Sequence, residues 1–142
     1  PRCYRNKTTD GYIAENYEGN GEYKEVYHDD VLSALSFFGL STGMREDTGH
    51  LVTGVHLVFF VNLAKLYPSI THRADEEARK AVLQVVGKGM HGHILTGVDI
   101  WLENVLREYP GSRRDDRLKY VDMHPIHCFR LNFSTTYQIN NC

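Results

Sequence analysis

Eight histidines are many for a chain of 142 residues, and four of them are spaced as ligands or proton carriers would be. His91-Gly92-His93 puts two imidazoles on one side of an extended stretch. His124-Pro125-Ile126-His127 has an i, i+3 spacing that a metal site can use, with Cys128 or Asp122 as a further donor. One reading is therefore a small metal-binding or hydrolytic domain built on His91, His93, His124 and His127. No specific zinc pattern supports it: H-E-x-x-H and C-x-x-C are absent, and no second cysteine lies near Cys128. Solvated or hydrogen-bonded structural histidines explain the same residues, so the expectation is no metal and no cofactor.

Other chemistry is no better supplied. Cys128 falls inside an alternating stretch, Cys142 is terminal, and no G-x-S-x-G elbow is present. Gly87-Lys88-Gly89-Met90-His91-Gly92 has neither phosphate-loop nor dinucleotide spacing. The carboxylate pairs Asp29-Asp30 and Asp115-Asp116 are neighbours in sequence, which suits capping or a solvated loop. The expectation is a protein that is not an enzyme. Arg113-Arg114-Asp115-Asp116-Arg117 sets guanidinium donors beside carboxylate acceptors. It reads as a solvated loop or as a contact between identical subunits joined head to tail.

The elements that would position these residues follow from turn chemistry and periodicity. Residues 1–28 are rich in Tyr, Gly, Asn and Glu without an apolar period, and read as a loop arm or loose hairpin carrying Tyr12, Tyr17, Tyr23 and Tyr27. Residues 29–142 read as a single α+β domain, a mixed or antiparallel sheet packed by about three helices. Asp29-Asp30 would cap a helix from Val31 to Phe38 that Gly39 stops, followed by a polar loop from Ser41 to Gly49. Val55 to Leu63 is continuously apolar apart from His56 and Asn62, as a strand covered on both faces would be. Ala74 to Val86 carries Asp75, Glu76 and Glu77 in its first turn and an apolar stripe through Ala78, Ala81, Val82, Val85 and Val86, closed by Gly87-Lys88-Gly89. His93 to Val98 is a short strand. Asp99 to Tyr109 reads as a third helix burying Trp101, Leu102, Val105, Leu106 and Tyr109.

From His127 to Ile139 the odd positions are His127, Phe129, Leu131, Phe133, Thr135, Tyr137 and Ile139, and the even ones are mostly polar. Such a strand is roughly 40 Å long at about 3.3 Å per residue. It should overhang the sheet, with a surplus edge bent, paired with the Tyr-rich arm or paired with another chain.

Composition bounds the function. Sixteen Lys and Arg against eighteen Asp and Glu give a net charge of −2, which excludes nucleic-acid wrapping through overall basicity. The longest apolar stretch is too short to span a bilayer, so no membrane partner is expected. Three widely spaced cysteines, Cys3, Cys128 and Cys142, fit a reducing compartment better than a disulfide-built secreted domain.

The order of these stretches carries a resemblance. Val55-His56-Leu57-Val58-Phe59-Phe60-Val61-Asn62-Leu63 with Leu66-Tyr67-Pro68 comes first, then the acid-started helix. Val105-Leu106-Arg107-Glu108-Tyr109-Pro110-Gly111 and the closing Phe129-Arg130-Leu131-Asn132-Phe133 follow. Together they resemble neck proteins of tailed bacteriophages, of the tail-terminator and head-completion type found in crAss-like phages of Bacteroides-like hosts. The resemblance covers roughly residues 50–142. It implies a structural virion protein (terminator, adaptor or stopper) assembled in the bacterial host cytoplasm. Its copies would form a homo-oligomeric ring with portal, neck or tail proteins around a channel for double-stranded DNA. A mildly acidic balance suits a lining along which DNA slides without being held. Many terminators begin with an apolar helix, where this chain has its Tyr/Gly arm. The expected subunit contacts are Tyr12, Tyr17 and Tyr23 on the arm, the loop Arg113, Arg114, Asp115, Asp116 and Arg117, and Arg130 and Tyr137 on the long strand. A free binding module, monomeric in solution, is a third reading.

Overall fold

The computed structural model describes residues 1–26, 28, 31–47, 49–89, 93–113 and 123–138. The fold is α+β, with two antiparallel sheets. Strands β1 (Cys3–Thr8), β2 (Gly11–Gly19) and β3 (Glu22–Glu25) form a meander. Strands β4 (Ala34–Asp47), β5 (His50–Asn62), β6 (His93–Ile100) and β7 (Ile126–Gln138) form the larger sheet in the order β4-β5-β7-β6. Helix α1 (Leu63–Leu66) and helix α3 (Leu102–Val105) are single turns, and α2 (Asp75–Gly89) is the one long helix among the described residues. Asn62 ends β5 and starts α1: its side chain accepts from the Lys65 backbone N–H at 3.1 Å, the bond expected of an N-cap.

The period of two along β5 and β7 divides the core. Val58 and Phe60 on β5, Cys128 on β7 and Phe37 on β4 point to the face covered by the β1–β3 sheet and the chain around α3. There they meet Cys3, Ala14, Val105, Leu106 and Tyr109. Phe37 and Tyr109 pack edge to face with centroids 5.9 Å apart, a geometry worth about 1 kcal/mol beyond area burial. The odd residues Val61, Phe129, Leu131 and Phe133 point the other way, onto α2. Phe59 and Phe129 stack across the strands at 5.0 Å.

Several elements differ from expectation. Val31 to Phe38 is no helix: Ala34 onward is strand, with Leu35 and Phe37 turned to one face and Ala34, Ser36 and Phe38 to the other. Pairing with β5 overrides the local acid-cap signal. Of the segment read as a loop from Ser41 to Gly49, Ser41 to Asp47 is strand, continuing β4 along β5 with an irregularity between Leu40 and Met44. The third helix shrinks to one turn, because β6 takes Asp99 and Ile100 and Trp101 turns at φ 71° with 62% of its surface exposed. The N-terminal segment is an ordered three-stranded sheet whose Cys3 and Ala14 enter the core.

The long C-terminal strand also departs from expectation. It exists with the expected period, but it lies inside the sheet. β7 pairs with β5 from Ile126 to Gln138 and with β6 from Phe129 to Thr135. Its length is absorbed by the equally long β5, and from Phe129 to Thr135 both of its edges are paired within the chain. The glycines of Gly87-Lys88-Gly89 also sit within α2 and do not stop it short.

Candidate functional site

The four candidate histidines do not converge. His91 lies outside the described residues. His93 Nδ1 is 2.7 Å from Thr135 Oγ1 near one end of β7, and His127 lies near the other. Eight residues of strand, about 26 Å at roughly 3.3 Å each, separate Thr135 from His127. His127 is buried with Arg79 Nη1 donating to its Nε2 at 2.9 Å, and its Nδ1 is 3.8 Å from Asp75. The Nε2 lone pair thus already serves an arginine. His124 is exposed. Among the described residues no three His, Cys, Asp or Glu side chains are grouped to hold a metal ion.

The chemistry that does converge is buried polar structure on the face opposite α2. Arg130 was expected to meet a neighbouring subunit and is instead wholly buried within its own chain. Its guanidinium makes a two-pronged pair with Glu108, through Nη2 to Oε1 at 2.8 Å and through Nη1 to Oε2. Nε donates to Asn132 Oδ1 at 2.7 Å, and Asn132 donates to Asp99 at 2.8 Å. Arg107 closes the outside, donating to Asp99 at 3.1 Å. Burial would raise the Glu108 carboxyl, but the hydrogen bond and charge of Arg130 prevail and hold it at about 2.

Beside this group, the His56 ring is fully buried with Nε2 3.0 Å from the Tyr109 hydroxyl and Nδ1 3.4 Å from Ser41 Oγ. Burial, reinforced by the Arg130 charge, lowers His56 to about 4, so it is a neutral imidazole at pH 7. The pair fits only because residue 39 is glycine: a Cβ there would lie 2.3 Å from the Tyr109 hydroxyl and 2.5 Å from His56 Nε2. These groups satisfy one another in a closed network. The His56 ring and the Arg130 guanidinium are sealed from solvent, while Asp99 and Arg107 at the outer end are partly exposed.

The surface features are of another kind. On the α2 side a cleft of about 400 Å³ runs between α2 and β4, lined by Ala34, Ser36, Phe59, Ala81, Val82 and Val85 among others. The apolar stripe of α2 is poorly covered: only Ala78 is buried, and Val85 is 73% exposed. Phe38 and Leu40, on the same face of β4, and Leu66 at the cleft are exposed too. Of the expected contacts, Tyr17, Tyr23 and Tyr137 are exposed, while Tyr12 is half-buried with the Arg5 guanidinium 3.8 Å over its ring. Arg113 ends a short 3-10 turn, and Arg114, Asp115, Asp116 and Arg117 lie outside the described residues.

The cleft was not legible in the sequence, because its wall on β4 comes from a segment with the signals of a helix. The polar network was missed for a simpler reason: an even-numbered polar residue on an alternating strand reads as solvated. Compared with known protein families, characterised proteins and solved structures, the chain matches none of them. No helix among the described residues is long and apolar enough to cross a membrane.

Proposed function

We propose that this chain is a structural subunit that assembles with copies of itself into a ring of a tailed-phage neck or tail, around double-stranded DNA and without catalytic activity. The observation that carries the proposal is the uncovered apolar stripe of α2 beside the cleft on β4. Contiguous exposed apolar surface on a folded domain marks an interaction site. The inner polar network joins His56 to Tyr109 and Arg130 to Glu108 on the opposite face, so the apolar cleft and the buried polar groups are separate features. The net charge of −2 suits a ring that lets DNA pass.

Light scattering of the purified chain over a range of concentrations, followed by negative-stain microscopy, tests this directly. The expected result is a closed oligomer of uniform mass with a central opening. A monomer at every concentration would overturn the reading.

A further inference from the structure

Trp101, the only tryptophan of the chain, stands outside the core that its type would join. Its φ of 71° is a setting that L side chains rarely adopt and that persists only where the surroundings impose it. Here they impose it from both sides. Ile100 is paired with Phe129, and its carbonyl accepts from the Asn104 side chain at 3.2 Å. The Trp101 carbonyl accepts from the backbone N–H groups of Asn104 and Val105, each at 3.0 Å. An exposed indole on a backbone fixed in this way has little freedom left to lose on docking, as the aromatic anchors of interfaces do.

We propose that Trp101 of one copy inserts into the cleft between α2 and β4 of the next, joining copies head to tail. The cleft, about 400 Å³, has room for an indole. The register puts the two features at one level of the sheet. Ser36 pairs with Phe59, Phe59 with Phe129 and Phe129 with Ile100, a single row across four strands. Ser36 and Phe59 line the cleft, whereas Trp101 follows Ile100 at the other end of the row, roughly 14 Å away at about 4.8 Å per strand. Charge selects a second copy as the occupant. Lys88 lies one turn beyond Val85 on α2, and Glu103 lies two residues beyond Trp101. Both are exposed and neither is paired among the described residues, so docking the indole sets opposite charges beside each other at the rim. An anchor and a cleft on different sides of one subunit make a heterologous contact. With both at one level, repeating the contact rises little and closes a ring. This joint rests on the self-assembly proposed above.

The amides of Asn104, Val105 and Leu106 are already hydrogen-bonded in the monomer, so the emission of the single indole reports the contact better than amide exchange there. Trp101→Gly removes the ring, suits the positive φ and leaves the cleft intact, whereas Val85→Lys spoils the cleft and keeps the ring. Each variant alone should lose self-association by about tenfold or more in light scattering. Titrating the Trp101→Gly chain into the Val85→Lys chain should shift the emission of the only tryptophan present to the blue and give a one-to-one dimer that grows no further. Lys88→Glu should weaken parental association about two- to fivefold, and adding Glu103→Lys to the same chain should restore it. Thermal melts of each variant confirm that it is folded. A parent that self-associates with its emission unchanged, a Trp101→Gly chain that associates as the parent does, or a mixture that stays monomeric would overturn this joint and leave self-assembly standing. A parent that is monomeric at every concentration would overturn both.

Discussion

The two faces of the four-stranded sheet are made by the same strands and finished in opposite ways. Towards the β1–β3 sheet, Val58, Phe60, Cys128 and Arg130 are sealed, and even a guanidinium, a carboxylate and an imidazole are enclosed with partners. Towards α2, the β7 residues Phe129 and Leu131 are sealed but Leu57 and Phe59 on β5 are half-buried and Phe38 and Leu40 on β4 are exposed. A single 15-residue helix cannot cover four strands. One face is closed by its own chain, and the other leaves apolar side chains exposed.

Substitutions should separate the two faces, with the largest effect on the sealed one. Glu108→Ala leaves the Arg130 charge buried without its partner and should cost about 3–5 kcal/mol in denaturant unfolding. A loss below about 1 kcal/mol would mean that water or Asp99 readily replaces the carboxylate. Gly39→Ala comes next. Its Cβ must displace the Tyr109 hydroxyl or His56, an overpacking strain of about 1–3 kcal/mol by the same measurement.

Acid should act on the sealed face through two groups. His56 is held at about 4 in the fold, below its ordinary 6.5, so the unfolded chain binds the extra proton between those values. Its contribution is complete above about 6.5 and is lost as pH falls towards 4. Glu108, held at about 2, contributes fully above its ordinary 4.5 and loses that contribution as pH falls towards 2. Unfolding midpoints should therefore decline in two successive windows, and His56→Gln should flatten the upper one only. On the open face, Val85→Lys should leave monomer stability within about 0.5 kcal/mol, as surface changes do, while abolishing self-association in light scattering. Self-association at parental strength would place the joint elsewhere.

How much of this could be read beforehand depended on whether a signal was local. β5, β6, α2 and β7 announce themselves through apolar runs, an acidic first turn and a thirteen-residue alternation. β4 does not, because Ala34 and Ser36 on its cleft side and Gly39 on its sealed side imitate a short helix and its stop until β5 supplies the pairing. Trp101 reads as core because tryptophan usually is, and only its left-handed backbone turns it outward. The exposed tyrosines were legible from their turn-rich setting. The buried Arg130 was not, since its partner Glu108 is 22 residues away and meets it only once the sheet is formed.

Hydrogen–deuterium exchange of the full chain at low and high concentration tests the central claim most directly. Concentration-dependent protection confined to Ala34–Leu40 and to the Ala81–Val86 stretch of α2, with the His56–Tyr109 region protected throughout, is the predicted result. Uptake at α2 and β4 that is the same at all concentrations would contradict the account.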